Sequence, residues 1–311
     1  MTQYLRTETS SLLIEPECGS IRSWQVRHGG RFCDLLRPVE PKVVDAREAL
    51  VMGCFPLVPY SGPVVGGRFS FLGKNYRLPR THHRQTVPIH GDGWVSPWQT
   101  SCQGQATLEL ALEHTGVTGY PFRYSVHQRL RLSPNELEVE LAVTNAGQEP
   151  MPVGIGFHPF FPKDNDTTVK TLNPLVWSQP DSGGSIDPQP TPAELDFTAG
   201  RKLEGIVLDH CFSGWSRHAI LTWPSRGYSL VLEADETLDK IVVFAPENEG
   251  YFCVEPVSNV DDGFNKMALG VSGHGVQCVA PGGSISGRMR LSFVDHAAIP
   301  QISEYVRCQR V

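Results

Sequence analysis

The feature that most constrains this fold is the spacing of the apolar residues, which alternate with polar residues over much of the chain. Segments with this two-residue period, bounded by Gly, Pro, Asn or Ser, lie at 67–72, 106–112, 122–132, 137–143, 228–234 and 288–294. The period is typical of half-buried β-strands, because successive side chains of a strand point to opposite faces. Short polar links at 133–136 and 144–150 indicate hairpins, so we expect antiparallel pairing.

The rest of the chain fits one β domain. Runs at 241–245 and 251–254 are apolar on both faces, as expected of central strands covered from both sides. The best helical signal, at 45–54, starts with an acidic residue and ends near a glycine. The irregular segment 163–203 is rich in proline near its centre, so we expect it to run over the surface. No repeat or composition break divides the chain, which predicts a single domain over residues 1–311.

Charge and hydropathy exclude several partners. The chain has 27 Lys+Arg and 33 Asp+Glu, a formal charge of -6 and no basic run, so it lacks the positive surface that nucleic acids and anionic membranes attract. No apolar run approaches the length of a membrane span, and the N-terminus does not resemble a secretion signal. We expect a cytoplasmic protein without nucleic-acid or membrane partners, and the sequence leaves its oligomeric state open.

Metal and cofactor motifs are absent from the sequence. The eight cysteines lie at least fifteen residues apart with no CxxC pair, so we expect buried thiols rather than a zinc knuckle or disulfide scaffold. His82, His83, His90, Asp92 and His210 are metal-ligand types, but there is no HExxH and no helix to place two of them one turn apart. GxSxG, GxGxxG and phosphate-loop motifs are also missing. The sequence predicts neither a metal nor a cofactor.

Two histidines lie in stiff, aromatic-rich segments. In PIHGDGWVSPW at 88–98, glycines beside His90 permit close approach of a ligand, and Trp94 offers an apolar face to the C–H side of a sugar or to another ring. In GIGFHPFFP at 154–162, His158 precedes a proline that restricts its backbone, and apolar surroundings favour its neutral form, which suits proton transfer. Each histidine could instead bind a backbone carbonyl in a turn or a core.

Two carboxylates complete the candidate set. Glu255 ends an apolar strand in YFCVEPVSNVDDGFN at 251–265, where an ionised carboxylate is costly unless it has a partner or a function. Asp209 adjoins His210 and aromatic residues in LDHCFSGW at 208–215. The alternatives are an ion pair at the end of the strand for Glu255 and a turn cap for Asp209.

Taken in order, these segments resemble the aldose 1-epimerase (galactose mutarotase) family. The resemblance extends from about residue 19 to residue 294. Its motifs are CFPLVPYS at 54–61, GRFSFLGKNYRL at 67–78, IHGDGW at 89–94, GFHPFF at 156–161, LDHCFSGW at 208–215, VEPVSNVDDGFN at 254–265 and VAPGGSISGRMRLSF at 279–293. The common order of seven motifs makes the match specific.

The resemblance implies an all-β fold: a large antiparallel β-sandwich, the galactose mutarotase-like supersandwich, with a sugar site on one concave sheet. It also implies an isomerase, a mutarotase that interconverts the α and β anomers of a free monosaccharide without a metal or cofactor. By the motif match, His158 is the acid, Glu255 the base, and His90 and Asp209 bind sugar hydroxyls. We expect acid and base on opposite sides of one hemiacetal, each contributing about 10²–10⁴-fold.

One departure from the family pattern affects the expected substrate. Family members usually carry an Asn-Arg pair, whose arginine faces the sugar, where this chain has Gly62 and Pro63. Arg68, Arg84 and Lys74 are the basic residues that could reach the site instead, but Arg68 matches another family position, so the role is not transferred. Two alternatives therefore stay open. One is a noncatalytic carbohydrate-binding or sensing protein on the same fold. The other is a mutarotase of phosphorylated or sulfonated sugars, which requires a cationic cluster that the scattered basic residues do not indicate.

Overall fold

The computed structural model describes residues 2–39, 48–116, 120–179 and 185–297. The strands in chain order are β1 (Gln3–Arg6), β2 (Ser10–Glu15), β3 (Ser20–His28), β4 (Arg31–Asp34), β5 (Cys54–Leu57), β6 (Arg68–Phe71), β7 (Lys74–Arg77), β8 (Gln99–Gln103), β9 (Thr107–His114), β10 (Tyr124–Leu132), β11 (Glu136–Asn145), β12 (Met151–Val153), β13 (Gly156–Pro162), β14 (Thr168–Thr171), β15 (Leu175–Val176), β16 (Gln189–Pro190), β17 (Arg201–Lys202), β18 (Leu208–Ser213), β19 (His218–Trp223), β20 (Tyr228–Ala234), β21 (Lys240–Ala245), β22 (Tyr251–Val257), β23 (Gln277–Val279) and β24 (Ser284–Asp295). Helical segments are α1 (Gly263–Ala268) and short 3-10 turns at Pro16–Cys18, Ala49–Val51, Val65–Gly67, Gly93–Val95, Ala193–Leu195 and Pro224–Arg226.

Two large antiparallel sheets form the fold. The first has eleven strands in the order β1-β2-β3-β5-β13-β22-β21-β18-β15-β16, with β4 paired to β3. The second has nine in the order β17-β14-β19-β20-β24-β11-β10-β9-β8. Two small ribbons, β6-β7 and β12-β23, lie outside them. All six alternating segments lie largely in strands, and β10 and β11 form the expected hairpin, so the predicted antiparallel β-sandwich is confirmed.

A single apolar core joins the two sheets. Strand β11 alternates buried and half-buried residues, and Leu137 and Leu141 point to the core from the second sheet. Trp24, Phe161 and Val254 contribute to the same cluster from the first sheet. Burial of one face of each sheet in one cluster is the arrangement that two-residue periodicity predicts.

The other face of the first sheet is also covered at its centre. Strands β13, β22 and β21 are adjacent there, and Phe55, Trp94, Phe160 and Cys253 form a second buried cluster over them. This explains why the 241–245 and 251–254 runs are apolar on both sides, as predicted. Polar side chains on this second face are therefore held within a largely apolar layer.

The predicted helix at 45–54 is wrong in its described part. Residues 45–47 lie outside the described residues, and the following segment forms only the 3-10 turn Ala49–Val51. The carbonyl oxygens of Leu50 and Met52 accept hydrogen bonds from the Arg37 guanidinium, so they are not available to a continuing helix. No described helix is long and apolar enough to cross a membrane.

Two smaller expectations also need correction. The segment 163–203 contributes four short strands to the ends of both sheets rather than only running over the surface, because residues such as Thr168–Thr171 continue the alternating pattern at an edge. Not every cysteine is buried: Cys102 and Cys278 are exposed and Cys33 is half-buried, since they lie on β8, the ribbon strand β23 and the edge strand β4. Cys308 lies outside the described residues.

Candidate active site

A cavity of about 700 Å³ lies on the second face of the first sheet. Strands β13, β22, β21 and β18 supply part of its lining, and the segments around residues 61–65 and 84–90 supply the rest. Four of the five residues predicted for the site line this cavity: His90, His158, Asp209 and Glu255. Residues that are far apart in the sequence therefore meet at one place.

His158 and Glu255 are direct neighbours on adjacent strands. The pairing of β13 with β22 places Gly156 opposite Val257 and Phe160 opposite Cys253, so His158 comes opposite Glu255 on the cavity face. The imidazole Nε2 lies 3.4 Å from Glu255 Oε1, and the two residues are only 8% and 3% exposed. The expectation that they face each other across the hemiacetal is corrected: they lie side by side, because one antiparallel register holds both.

The surroundings of this pair favour its uncharged form. Burial lowers the pKa of His158 well below 6.5. Burial, together with the carboxylates of Asp209 and Asp261, raises the pKa of Glu255 well above 4.5. One proton held by Glu255 and facing a neutral imidazole satisfies both directions. His158 Nδ1 is buried and has no hydrogen-bond partner among the described residues, so Nε2 is the nitrogen available for proton transfer.

His90 has an unusual backbone conformation, and a hydrogen bond to its ring fixes its tautomer. Its φ is 64°, in the left-handed region, which a non-glycine residue adopts at a cost of roughly 1–2 kcal/mol. Its Nδ1 accepts a hydrogen bond of 3.1 Å from the Gly62 N–H. Burial lowers the pKa of His90 to about 3, so the ring is neutral with its proton on Nε2. His90 can thus donate a hydrogen bond from Nε2.

A glycine and a tryptophan support this turn. A Cβ on Gly91 would lie 2.0 Å from the Val58 carbonyl oxygen, so only glycine fits there. Trp94 is fully buried, stacks on Phe55 and donates from Nε1 to the Gly91 carbonyl at 3.1 Å. Trp94 therefore lies behind the cavity wall, and the predicted sugar contact is corrected to a supporting role. Its indole needs a buried acceptor, which the tight turn supplies.

A buried polar network anchors the same segment from the second sheet. Asp92 accepts a hydrogen bond from the Tyr124 hydroxyl, and its Oδ2 lies 2.8 Å from His114 Nδ1. Burial opposes charging of His114, but the hydrogen bond to Asp92 raises its pKa. The network joins the turn after His90 to strands β9 and β10. Asp92 therefore helps to hold this turn in place and does not itself line the cavity.

Two aspartates complete the polar lining. Asp209 on β18 lies opposite Phe244 on the cavity face. It is exposed to solvent, and the partial desolvation of its carboxylate by the surrounding residues raises its pKa. Asp261, which our sequence reasoning did not single out, also lines the cavity. Burial, and then the charge of Asp209, raises the pKa of Asp261 to about 7. The signal that could have found it is the Asp-Asp-Gly sequence six residues after Glu255, on the same segment as a predicted catalytic group.

The basic residues considered as substitutes for the family arginine differ in position. Arg68 is exposed on the β6-β7 ribbon, and Lys74 pairs with Glu149 at 3.3 Å on the same ribbon. Arg84 does line the cavity, with its guanidinium 3.7 Å from Glu48. Gly62 and Pro63 line the cavity directly, as the motif match predicts for the positions they occupy.

Two side-chain groups have the composition of a metal site, but their hydrogen bonding does not suit one. Glu48, His82 and His83 cluster near the cavity, yet His82 Nδ1 accepts the Arg84 N–H, so its proton belongs on Nε2, the nitrogen that faces Glu48. His158 and Glu255 cluster with Cys253, whose pKa burial raises well above 9. A metal ion would have to displace this proton, because the thiolate is the form that binds a metal. The prediction of no metal stays a prediction.

A profile of the aldose 1-epimerase family matches residues 8–292. The chain belongs to the aldose 1-epimerase family. Among curated proteins, it is similar to the uncharacterised protein YphB of Escherichia coli K12, with 32% identity over 267 residues, 83% of this chain and 88% of YphB. It is also similar to the uncharacterised YihR of the same organism, with 25% identity over 222 residues, 67% of this chain and 70% of YihR.

Solved structures show the same fold. A proposed aldose 1-epimerase from Escherichia coli K12 superposes with a TM-score of 0.83 at 27% identity, over 95% of this chain and 99% of that one. A galactose mutarotase-like protein from Clostridium acetobutylicum superposes with a TM-score of 0.80 at 20% identity, over 94% of both chains. Family and fold together support a mutarotase-type function for this aldose 1-epimerase family member.

Proposed function

We propose that the protein is a mutarotase that interconverts the α and β anomers of a free aldose. The observation that carries the proposal is the contact between His158 Nε2 and Glu255 Oε1 at 3.4 Å in the lining of a cavity of about 700 Å³. Anomer exchange removes a proton from the C1 hydroxyl and adds one to the ring oxygen. Both oxygens are bonded to the same carbon, so two adjacent proton-transfer groups suit the reaction better than two distant ones.

Ring opening follows from the proton that the pair shares. Transfer of this proton from Glu255 to His158 gives a carboxylate base and an imidazolium acid. The carboxylate takes the proton of the C1 hydroxyl, the C1–ring oxygen bond breaks, and His158 Nε2 protonates the ring oxygen. Rotation about C1–C2 and reversal of these steps close the ring on the other face. Each group contributes about 10²–10⁴-fold, and no cofactor is required.

His90 and Asp209 are proposed to hold the sugar while C1 reacts. His90 presents an Nε2–H donor because Gly62 occupies its Nδ1. Asp209 presents an acceptor from β18, on the face that also carries Glu255. A donor and an acceptor beside the reacting pair are complementary to sugar hydroxyls, and orientation of this kind adds to the proton-transfer gain. We further propose that the protein acts in the cytoplasm on a monosaccharide, without nucleic-acid or membrane partners.

The test is the rate of anomer exchange, followed by NMR exchange spectroscopy on a panel of hexoses and pentoses. We expect acceleration over buffer for at least one sugar. His158→Gln and Glu255→Gln should each lower kcat/KM by about 10²–10⁴-fold. His127→Gln and Glu113→Gln are matched controls, because both residues are exposed on the second sheet away from the cavity. Full activity in both cavity variants would refute the assignment of the pair.

The same experiment distinguishes a noncatalytic sugar-binding protein. Such a protein would bind a sugar from the panel, detected by calorimetry, while leaving the anomeric rate at its value in buffer. Binding without acceleration would therefore contradict the mutarotase proposal and favour the binding-protein alternative.

A further inference from the structure

Asp261 reaches the cavity because the residue packed against it is a glycine. A Cβ built on Gly62 would lie 2.2 Å from Asp261 Oδ1 and 3.1 Å from its Cα. Gly62 also has a φ of +72°, a conformation that favours glycine. The space that a side chain at position 62 would fill is therefore occupied by the Asp261 carboxylate, which lies between this turn and the cavity.

The Asp261 carboxylate has no hydrogen-bond donor within the described ranges. The nearest cation in its surroundings, Lys266, directs its ammonium to the Asp261 backbone carbonyl at 3.2 Å and lies over the Trp177 ring. By contrast, the neighbouring Asp262 carboxylate accepts hydrogen bonds from the Val65 N–H and from Asn265. Asp261 is half-buried at the edge of the cavity that it lines. A ligand donor would supply the hydrogen bond that the protein does not give this carboxylate.

The charges that line the cavity are unbalanced. Of its described lining residues, three are acidic, Asp209, Glu255 and Asp261, and one is basic, Arg84. Arg84 already faces Glu48 at 3.7 Å. Glu255 holds the proton that it shares with His158, so the negative charge of the lining comes from Asp209 and Asp261. These two carboxylates disfavour a phosphate or sulfonate group and favour a cation, since charges of opposite sign attract.

We propose that Asp261 is a specificity-determining residue that binds an ammonium substituent of the sugar, so that amino aldoses are the preferred substrates. The inference rests on the proposed mutarotase function. Asp261 accepts a charge-assisted hydrogen bond from the ammonium group, and Asp209 adds a second negative charge on the cavity face. A hydrogen bond to a charged group of this kind favours an amino sugar over its neutral analogue by roughly 10- to 100-fold.

Binding of a cation at this place has a proton signature. Glu255, Asp262 and Asp209 face Asp261 as acids, Lys266 faces it as a cation, and the Cys211 thiol is adjacent. Burial raises the pKa of Asp261 to about 7, so a fraction of the empty protein holds this carboxyl protonated near neutral pH. An ammonium ligand stabilises the ionised carboxylate, and a proton is released on binding.

The experiment compares D-glucosamine hydrochloride, D-glucose and D-glucose 6-phosphate with the whole protein near pH 7. Anomer exchange is measured by NMR, and affinity and proton release by calorimetry in two buffers of different ionisation enthalpy. We expect kcat/KM to fall in the order amino, neutral, anionic sugar, with proton release for the amino sugar. In Asp261→Asn the preference for the amino sugar over glucose should fall toward unity and the proton release should vanish.

Asp262→Asn is the matched control, because it removes a neighbouring carboxylate that already accepts hydrogen bonds within the protein. This variant should keep the preference for glucosamine over glucose. Equal rates for glucosamine and glucose in the wild-type protein, or a preference unchanged in Asp261→Asn, would overturn the inference and leave the mutarotase proposal standing. Preferential binding of glucosamine with proton release but no acceleration of any sugar would overturn the mutarotase proposal and the claim that amino aldoses are substrates, while supporting Asp261 as the residue that binds the ammonium group. The comparison of the three sugars with the wild-type protein needs no variant, so it tests the inference even if Asp261→Asn does not fold.

Discussion

Replacing Asp261 by Asn should stabilise the protein as pH rises. Its pKa is about 7 in the folded chain against an ordinary value of 3.8. Between these values the folded state binds more protons than the unfolded state, so the free energy of unfolding falls with pH. At roughly 1.4 kcal/mol per pKa unit, the ionised carboxylate costs at most about 4 kcal/mol above pH 7. Asn does not titrate and escapes this cost.

Urea denaturation of both proteins at about pH 5 and about pH 8 measures the effect. The advantage of Asp261→Asn should be larger at the higher pH by about 2–3 kcal/mol. Asp262→Asn is the control and should gain no stability, because the Asp262 carboxylate has two hydrogen-bond donors to lose. An equal advantage at both pH values, or a variant less stable at pH 8, would show that a partner stabilises the ionised Asp261 and would refute the reasoning.

The pH dependence of kcat/KM should be bell-shaped, since only the singly protonated pair has both an acid and a base. Activity should fall on the acidic side at a pH below 6.5, where His158 becomes protonated, and on the alkaline side at a pH well above 4.5, where Glu255 loses its proton. A flat profile from about pH 4 to about pH 9 would count against a shared proton. Gly62→Ala should lose about 1–3 kcal/mol in urea unfolding and raise KM, because its Cβ meets the Asp261 carboxylate; unchanged values of both would contradict that packing. Asp92→Asn should cost about 1–3 kcal/mol, since two buried donors share its carboxylate; a melting curve identical to the wild type would argue against the network.

The strand pattern was predictable because burial of one sheet face imposes a two-residue period. Residues 137–143 show this period, and their alternate side chains lie in the shared core. The weak helix signal at 45–54 failed because a tertiary contact, the Arg37 guanidinium on the carbonyls of Leu50 and Met52, outweighs local propensity. Register and side-chain contacts across the fold are what local sequence does not specify.

The same limit applies to the site. His90, His158, Asp209 and Glu255 were predictable as residue types in stiff or costly positions and by family resemblance, and they do line one cavity. The relative geometry of these four residues was not predictable, because the side-by-side arrangement of His158 and Glu255 depends on the register between β13 and β22. Asp261 was missed because its access to the cavity depends on Gly62, about two hundred positions earlier in the chain.

The most direct test of the central claim is a crystal structure of Glu255→Gln with a bound aldose. The account predicts a sugar in the cavity with its C1 hydroxyl within hydrogen-bond distance of the residue 255 side chain and its ring oxygen facing His158 Nε2. A well-ordered sugar whose C1 lies away from both side chains, with other groups contacting its anomeric centre, would contradict the claim that this pair transfers the protons.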